Sequence, residues 1–288
     1  MISGKKIDLH MHSTVSDGSD TPEEIVARVK EAGIGVFSVT DHDAIKSGTA
    51  ISKMLSNGDP AFICGAEFSC EDELGKYHIL AYYDDPGAPS INRLVEKGHA
   101  LRMQKAAMRL DFLSREFGFV FPREEIDKIL SYDNPGKPHI ADLMVRLGYA
   151  DSIRTAIYDH INKLHIPSPH ISAEDAIVSI IGGNGIPVLA HPFFGDGDQL
   201  IVGNEMEQRL KRLMTFGLCG VEAFYSGFTP KLTKEMLGLA DKYCLYVTAG
   251  SDYHGKNKMI RLGDNGLDDA DEYPSGLLKF LDKFGIGI

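Results

Sequence analysis

Residues 6–41 read KIDLHMHSTVSDGSDTPEEIVARVKEAGIGVFSVTD, and the fold is decided in this stretch. Lys6–His10 is an apolar, strand-like run. Thr21, Pro22 and Glu24 mark a helix start, with the threonine hydroxyl aimed at the Glu24 N–H and the glutamate carboxylate at the Thr21 N–H. Ile25, Val26 and Val29 then share one helical face, Gly33 is the stop, and Val36–Asp41 is a second strand. Strand, helix and strand in succession make an α/β unit.

Outward from this unit, apolar runs recur at Phe62–Phe68, Tyr77–Tyr82, Ile186–Ala190, Gly220–Phe224 and Tyr246–Gly250, mostly separated by helical patterns. Ser172 with Asp175 opens another helix in the manner of Thr21 and Glu24, leading to Gly182 and Gly183. Between about Pro89 and Pro167 the rhythm lapses. Ile91–Phe117, Arg123–Leu130, His139–Leu147 and Ser152–Lys163 are helical in pattern, and no strand interrupts them. The expected organisation is a main α/β domain of residues 1–88 and 168–288, with an inserted helical cap domain, 89–167, over one end of the strands.

At 288 residues, with 43% hydrophobic and 25% charged, the chain is long enough for one large domain with an insertion. Its composition excludes disordered, collagen-like and disulfide-dense classes. With 41 acidic and 30 basic residues the net charge is −11, so there is no electrostatic footprint for a long nucleic acid or an anionic membrane. A small anionic substrate needs locally concentrated positive charge, which bound metal ions supply without basic residues. No apolar run approaches the roughly 20 residues of a membrane span, and Asp8 falls where a secretory signal needs apolar residues, so a cytoplasmic chain is expected. Cys64, Cys70, Cys219 and Cys244 are expected to be reduced thiols.

His10 and His12 stand two apart, where an extended chain points both rings to one side and one metal ion reaches both. Asp17, Asp41-His42-Asp43, Glu67, His78, His191 and Asp252-Tyr253-His254 lie, for the most part, at or just past the C-terminal end of an expected strand. In a barrel of parallel strands and helices that rim is where catalytic groups converge. Histidine and carboxylate without thiolate suit Zn, Mn or Fe, and nine such groups exceed one ion's capacity, so two or three ions are implied. Neighbouring dications activate a bridging water and neutralise an anionic group undergoing displacement, which is the chemistry of phosphoester hydrolysis.

The phrases DLHMHSTVSDG (8–18), SVTDHD (38–43), GAEFS (65–69), HILAY (78–82), PVLAHP (187–192) and GSDYHG (250–255) resemble, in order and spacing, the motifs of the PHP family, the polymerase and histidinol phosphatase metallohydrolases. The resemblance implies a distorted (β/α)7 barrel with a trinuclear centre of Mn, Zn or Fe. It assigns His10, His12, Glu67 and Asp252 to one ion, Glu67 with His78 and His191 to a second, and Asp17, His42 and His254 to a third. Asp17, His191 and Asp252 carry the expected catalytic roles; the leaving oxygen needs a proton from a metal-bound water or a nearby acid, and Asp17 and His191 lie in a region where either could help. Asp41 is expected to hydrogen-bond a ligand, and Asp8 and Glu222 to pack against the ligands or support them.

Within that family, RMQK (102–105), KPHIA (137–141) and AEDAI (173–177) resemble the branch that removes a phosphate from nucleoside 3′,5′-bisphosphates and trims short RNA from its 5′ end. Arg102, Lys137 and His139 are the expected substrate-binding residues. The branch's usual arginines are replaced here by Lys105 and Lys137, and its basic, aromatic loop by Phe193-Phe194-Gly195-Asp196. Lysine binds phosphate as a point charge without the bidentate fork. The expected function is thus a metal-dependent phosphoesterase acting on a small nucleotide. The alternatives are a histidinol-phosphate or other small-molecule phosphatase, a metal-dependent amidohydrolase, and a binding module with a degenerate site.

Overall fold

The computed structural model describes residues 6–132, 134–164, 169–194, 200–270 and 272–287, except the side chain of Asp269. Three parallel strands, β1 (Lys6–Asp8), β2 (Ile34–Phe37) and β3 (Ala61–Phe62), form one sheet in that order. The second sheet contains β4 (Cys64–Asp72), β5 (Gly75–Tyr83), β6 (Ile171–Ser172), β7 (Ile186–Leu189), β8 (Gly220–Tyr225) and β9 (Tyr246–Gly250), in the order β6-β4-β5-β7-β8-β9.

The apolar run Phe62–Phe68 is not one strand. Phe62 pairs with β2, and from Cys64 onward the chain pairs with β5, so it changes sheet at Ile63. The sheets are stitched on both flanks. On one, the Leu9 N–H donates to the Ala249 carbonyl, 2.8 Å; on the other, the Asp43 N–H donates to the Glu67 carbonyl, 2.8 Å.

One strand departs from the expected parallel arrangement. β5 runs antiparallel to both β4 and β7, because only Glu73 and Leu74 join β4 to β5. Two residues close a hairpin, whereas a parallel return needs a crossover of a dozen or more. The reversal serves the rim: Ser69, late in β4, lies opposite His78, early in β5, so an antiparallel strand starts where its parallel neighbours end.

Helix α1 (Pro22–Glu31) carries the expected capping box, with the Thr21 N–H donating to Glu24 Oε2, 2.8 Å, and the Glu24 N–H to Thr21 Oγ1, 3.2 Å. Next come α2 (Lys46–Met54), α3 (Pro89–Phe117), α4 (Arg123–Leu130), α5 (Lys137–Arg146) and α6 (Ile153–Thr155), which runs on as a π turn, Ala156–His160. They are followed by α7 (Ala173–Gly182), α8 (Gly203–Thr215), α9 (Pro230–Tyr243) and α10 (Ser275–Lys283). Ser172 caps α7 as expected, but the Asp175 carboxylate leaves the cap for Lys97 Nζ, 2.7 Å away.

The helices of the 89–167 stretch bury a core of their own, including Leu110, Leu113, Phe121, Ile140 and Met144, apart from the main one. Helix α3 belongs to both, since its first turns bury Ile91 and Leu94 in the main core. The expected boundary at 167/168 lies outside the described residues, as do Gly195 and Asp196. Among the described residues no helix is long and apolar enough to cross a membrane.

Candidate metal centre

The rim is built by chain that has just left a strand and still hydrogen-bonds to its neighbours. Past β1 and β9, the Asp252 N–H donates to the His10 carbonyl and the His12 N–H to the Tyr253 carbonyl, each 2.8 Å; past β2, the Thr40 N–H donates to the Met11 carbonyl, 2.8 Å. Pairing of this kind fixes His10, His12 and Asp252 relative to one another before any side chain is considered. Gly250 makes the close approach possible, because a Cβ there would lie 2.2 Å from His10 Cβ. Asp43, His191 and Asp252 adopt left-handed backbone, with φ of 48°, 29° and 57°. Non-glycine residues hold such angles only where surrounding structure enforces them, and they gather at functional sites.

All nine candidate ligands come together. Glu67, fully buried in β4, is the hub. Its Oε2 lies 3.4 Å from His10 Nε2, 3.1 Å from His12 Nε2 and 3.1 Å from His42 Nδ1. Its Oε1 lies 2.8 Å from His78 Nδ1 and 3.2 Å from His191 Nε2. Asp252 Oδ1 is 3.4 Å from His12 Nε2 and 3.7 Å from His10 Nε2. On the far side, Asp17 meets His254 Nε2 at 3.3 Å and His42 Nε2 at 3.9 Å. His12 is shared: its ligand atoms lie close to those of Asp17, His42 and His254 as well as to those of His10 and Glu67.

The donor set fits divalent cations. His10 Nδ1 is engaged at 3.0 Å by Glu222, and its Nε2 faces His12 Nε2 at 3.2 Å. His78 Nδ1 and His191 Nε2 also face each other at 3.2 Å. Paired imidazole nitrogens converging with carboxylate oxygens in a buried place call for a cation between them. Electrostatics agree. Burial alone would raise the Glu67 carboxyl, yet His78, His42 and His10 hold it well below the usual carboxylate range. Burial opposes protonation of His10, and Glu222 and Glu67 together push it well above the ordinary histidine value.

Supporting groups surround these nine. Glu222 takes the His191 N–H at 2.7 Å as well as the His10 ring, so it orients two candidate ligands. Asp41 accepts from the Ser13 N–H and hydroxyl and from the Ser16 hydroxyl, at 2.6–2.8 Å. Among the described contacts it reaches the ligands through Ser16, which lies 3.4 Å from both His12 Nδ1 and Asp17 Oδ1. Asp8, which burial pushes up to about 6, ties Ser251 and Gly263 to β1.

The centre opens into a chamber of about 380 Å³, reached by Asp17, His42, His78 and His191. The sequence pattern of the PHP domain matches residues 8–288. This chain belongs to the PHP domain family. It is 29% identical over 259 residues to the phosphoribosyl 1,2-cyclic phosphate 1,2-diphosphodiesterase of Eggerthella lenta, covering 86% of this chain and 94% of that one. It is 25% identical to the 3′,5′-nucleoside bisphosphate phosphatase of Chromobacterium violaceum, covering 86% and 87%. A crystal structure from Bifidobacterium adolescentis, classed as a metal-dependent phosphoesterase, superposes with a TM-score of 0.82 at 26% identity, covering 99% and 97%.

In this PHP protein the 89–167 stretch supplies much of the chamber wall. Arg102, Lys105 and Arg109 lie along α3, and Lys137 and Pro138 begin α5; Lys76 joins them from β5. Arg102 Nε pairs with the Asp43 carboxylate, and Lys137 Nζ donates to Asn162 Oδ1 at 2.8 Å. His139 stands behind the wall: its Nδ1 accepts the Gly136 N–H at 2.9 Å, and its ring lies against Tyr132. Gly136 in turn lies beside Asp17. His170 also lines the chamber, with Nδ1 3.1 Å from Glu71. Sequence reasoning passed over Lys76, although it stands two residues before His78 and shares its side of the strand. It also passed over Tyr225 and Lys258, whose hydroxyl and ammonium meet Asp252 Oδ2 at 3.0 Å and 2.6 Å.

Proposed function

We propose that this phosphoric ester hydrolase of the PHP family removes a phosphate from a small nucleotide, either a nucleoside 3′,5′-bisphosphate or the 5′ end of a short oligonucleotide. The carrying observation is the chamber: five Lys or Arg side chains face it, in a chain of net charge −11, beside nine converging histidines and carboxylates. Its volume suits a mononucleotide. We read β1, β2, β3 with β4, β5, β7, β8 and β9 as a closed seven-membered ring, the distorted barrel, with 89–167 as its cap.

In this reading three divalent ions are held as the resemblance implies: by His10, His12, Glu67 and Asp252; by Glu67, His78 and His191; and by Asp17, His42 and His254. When bound, such ions, whether Mn, Zn or Fe, supply Lewis acidity and an activated water. The chain's own residues do the rest. Asp17 and His191 face the chamber and orient that side of the centre toward the reacting phosphate, while Asp252 orients the buried side. Arg102 and Lys137 hold the phosphate that is not cleaved, and His139 fixes the turn that presents Lys137. Contacts remote from the reacting bond act mainly on binding and orientation.

A second reading has its own support, since the E. lenta relative is named for a phosphoribosyl 1,2-cyclic phosphate. A sugar with one reacting phosphate and another anionic group meets the same chamber. Phosphate release from adenosine 3′,5′-bisphosphate, AMP and histidinol phosphate, compared side by side with Mn²⁺, tests the assignment. The bisphosphate is expected to be turned over fastest. Preference for histidinol phosphate, or ammonia release from amide substrates, overturns it.

A further inference from the structure

We infer that the turn after His254 clamps the metal centre, with Lys258 as the positioning residue for Asp252; this rests on reading Asp252 and Asp17 as metal ligands. The two oxygens of Asp252 face different partners. Oδ1 is turned to His12 Nε2, 3.4 Å, His10 Nε2, 3.7 Å, and His254 Nδ1, 3.3 Å. Oδ2 accepts from the Lys258 ammonium at 2.6 Å and from the Tyr225 hydroxyl at 3.0 Å. With Oδ2 engaged by two donors, only Oδ1 is left to meet a cation, so the carboxylate is held to one-oxygen binding.

The adjacent residues extend the clamp to the other side of the centre. Asn257 Nδ2 donates to the Asp17 carbonyl at 2.8 Å, and the Lys256 N–H donates to Ser19 Oγ at 2.8 Å. One short turn therefore ties the loop that carries Asp17 to the strand end that carries Asp252, two segments far apart in the chain. Lys258 is not among the residues of the chamber wall, so it acts through Asp252 and not on substrate. Its side chain is 39% exposed but its ammonium meets the buried Asp252 carboxylate, so the melting temperature of each variant is measured beside its metal affinity. Its effect should fall on the geometry of the centre.

The test uses the full chain after chelator treatment, titrated with Mn²⁺ alone in a calorimeter. Lys258→Met is expected to weaken Mn²⁺ binding about tenfold, the lower end of what loss of a supporting group costs. Lys258→Arg keeps the charge and donors and should restore most of that affinity. Tyr225→Phe, which removes the second donor, should weaken binding in the same direction with the fold kept. KM for a bisphosphate at saturating Mn²⁺ should be unchanged in Lys258→Met, a split that general loosening of the fold would not produce. Wild-type Mn²⁺ affinity and stoichiometry in both Lys258→Met and Tyr225→Phe overturn the clamp. Failure of the unaltered protein to take up Mn²⁺ overturns instead the metal reading beneath it.

Discussion

Replacing Glu67 by Gln tests the centre at its hub. The side chain is only 1% exposed and has five imidazole nitrogens within 2.8–3.4 Å of its two oxygens. Gln keeps the shape but turns one oxygen into an N–H₂ group that cannot ligate, and it removes a unit negative charge from among the cations. Loss of a supporting hydrogen bond costs about 10–100-fold in metal affinity, so loss of one oxygen of the residue that the proposed reading assigns to two ions should cost about 100-fold or more. That corresponds to roughly 3 kcal/mol at 1.4 kcal/mol per decade. Metal analysis after dialysis against micromolar Mn²⁺, together with calorimetric titration, measures it directly. We expect lower metal content, phosphate release at background and an unchanged circular dichroism spectrum. A Glu67→Gln protein that binds as many ions as the unaltered chain, with similar affinity, would refute the hub.

His191→Ala and Asp252→Ala should each abolish phosphate release while leaving the fold intact; a near-normal rate at saturating Mn²⁺ removes that residue from the centre. Lys137→Ala removes a charge-assisted contact of about 1.5–3 kcal/mol and should raise KM for a 3′,5′-bisphosphate roughly tenfold or more. The same variant should change a monophosphate much less, and equal losses on both would make the cap a structural cover only. Lys105 carries the pH dependence: burial, with Arg102 and Arg109 beside it, holds its ammonium down to about 7. It is charged below that pH and neutral above, so affinity for a second phosphate should weaken as pH rises through 7. Lys105→Arg, always charged, should flatten the KM profile between about pH 6 and 8; a profile unchanged from the unaltered protein excludes Lys105 from the binding site.

What was legible in the chain is what a strand end and a few neighbouring residues determine. His10 and His12 share a face because an extended backbone alternates, and Thr21 caps a helix because its partner stands three residues on. What was not legible depends on which distant segments meet. The direction of β5 turned on a two-residue connection masked because both strands extend past their apolar runs into the polar stretch between them, and the split at Ile63 on a change of partner within one run. Asp43 is three-dimensionally the partner of Arg102, 59 residues away, so the expected phosphate-binding guanidinium already holds a carboxylate. That pairing bears on specificity: an anion entering the chamber competes with Asp43 for Arg102, whereas Lys105 feels Asp43 and Glu71 only through their field. Lys105, one of the two lysines standing where the branch usually has arginine, is therefore a wall cation whose burial brings its change of charge to about pH 7, where a bound anion would favour the charged form.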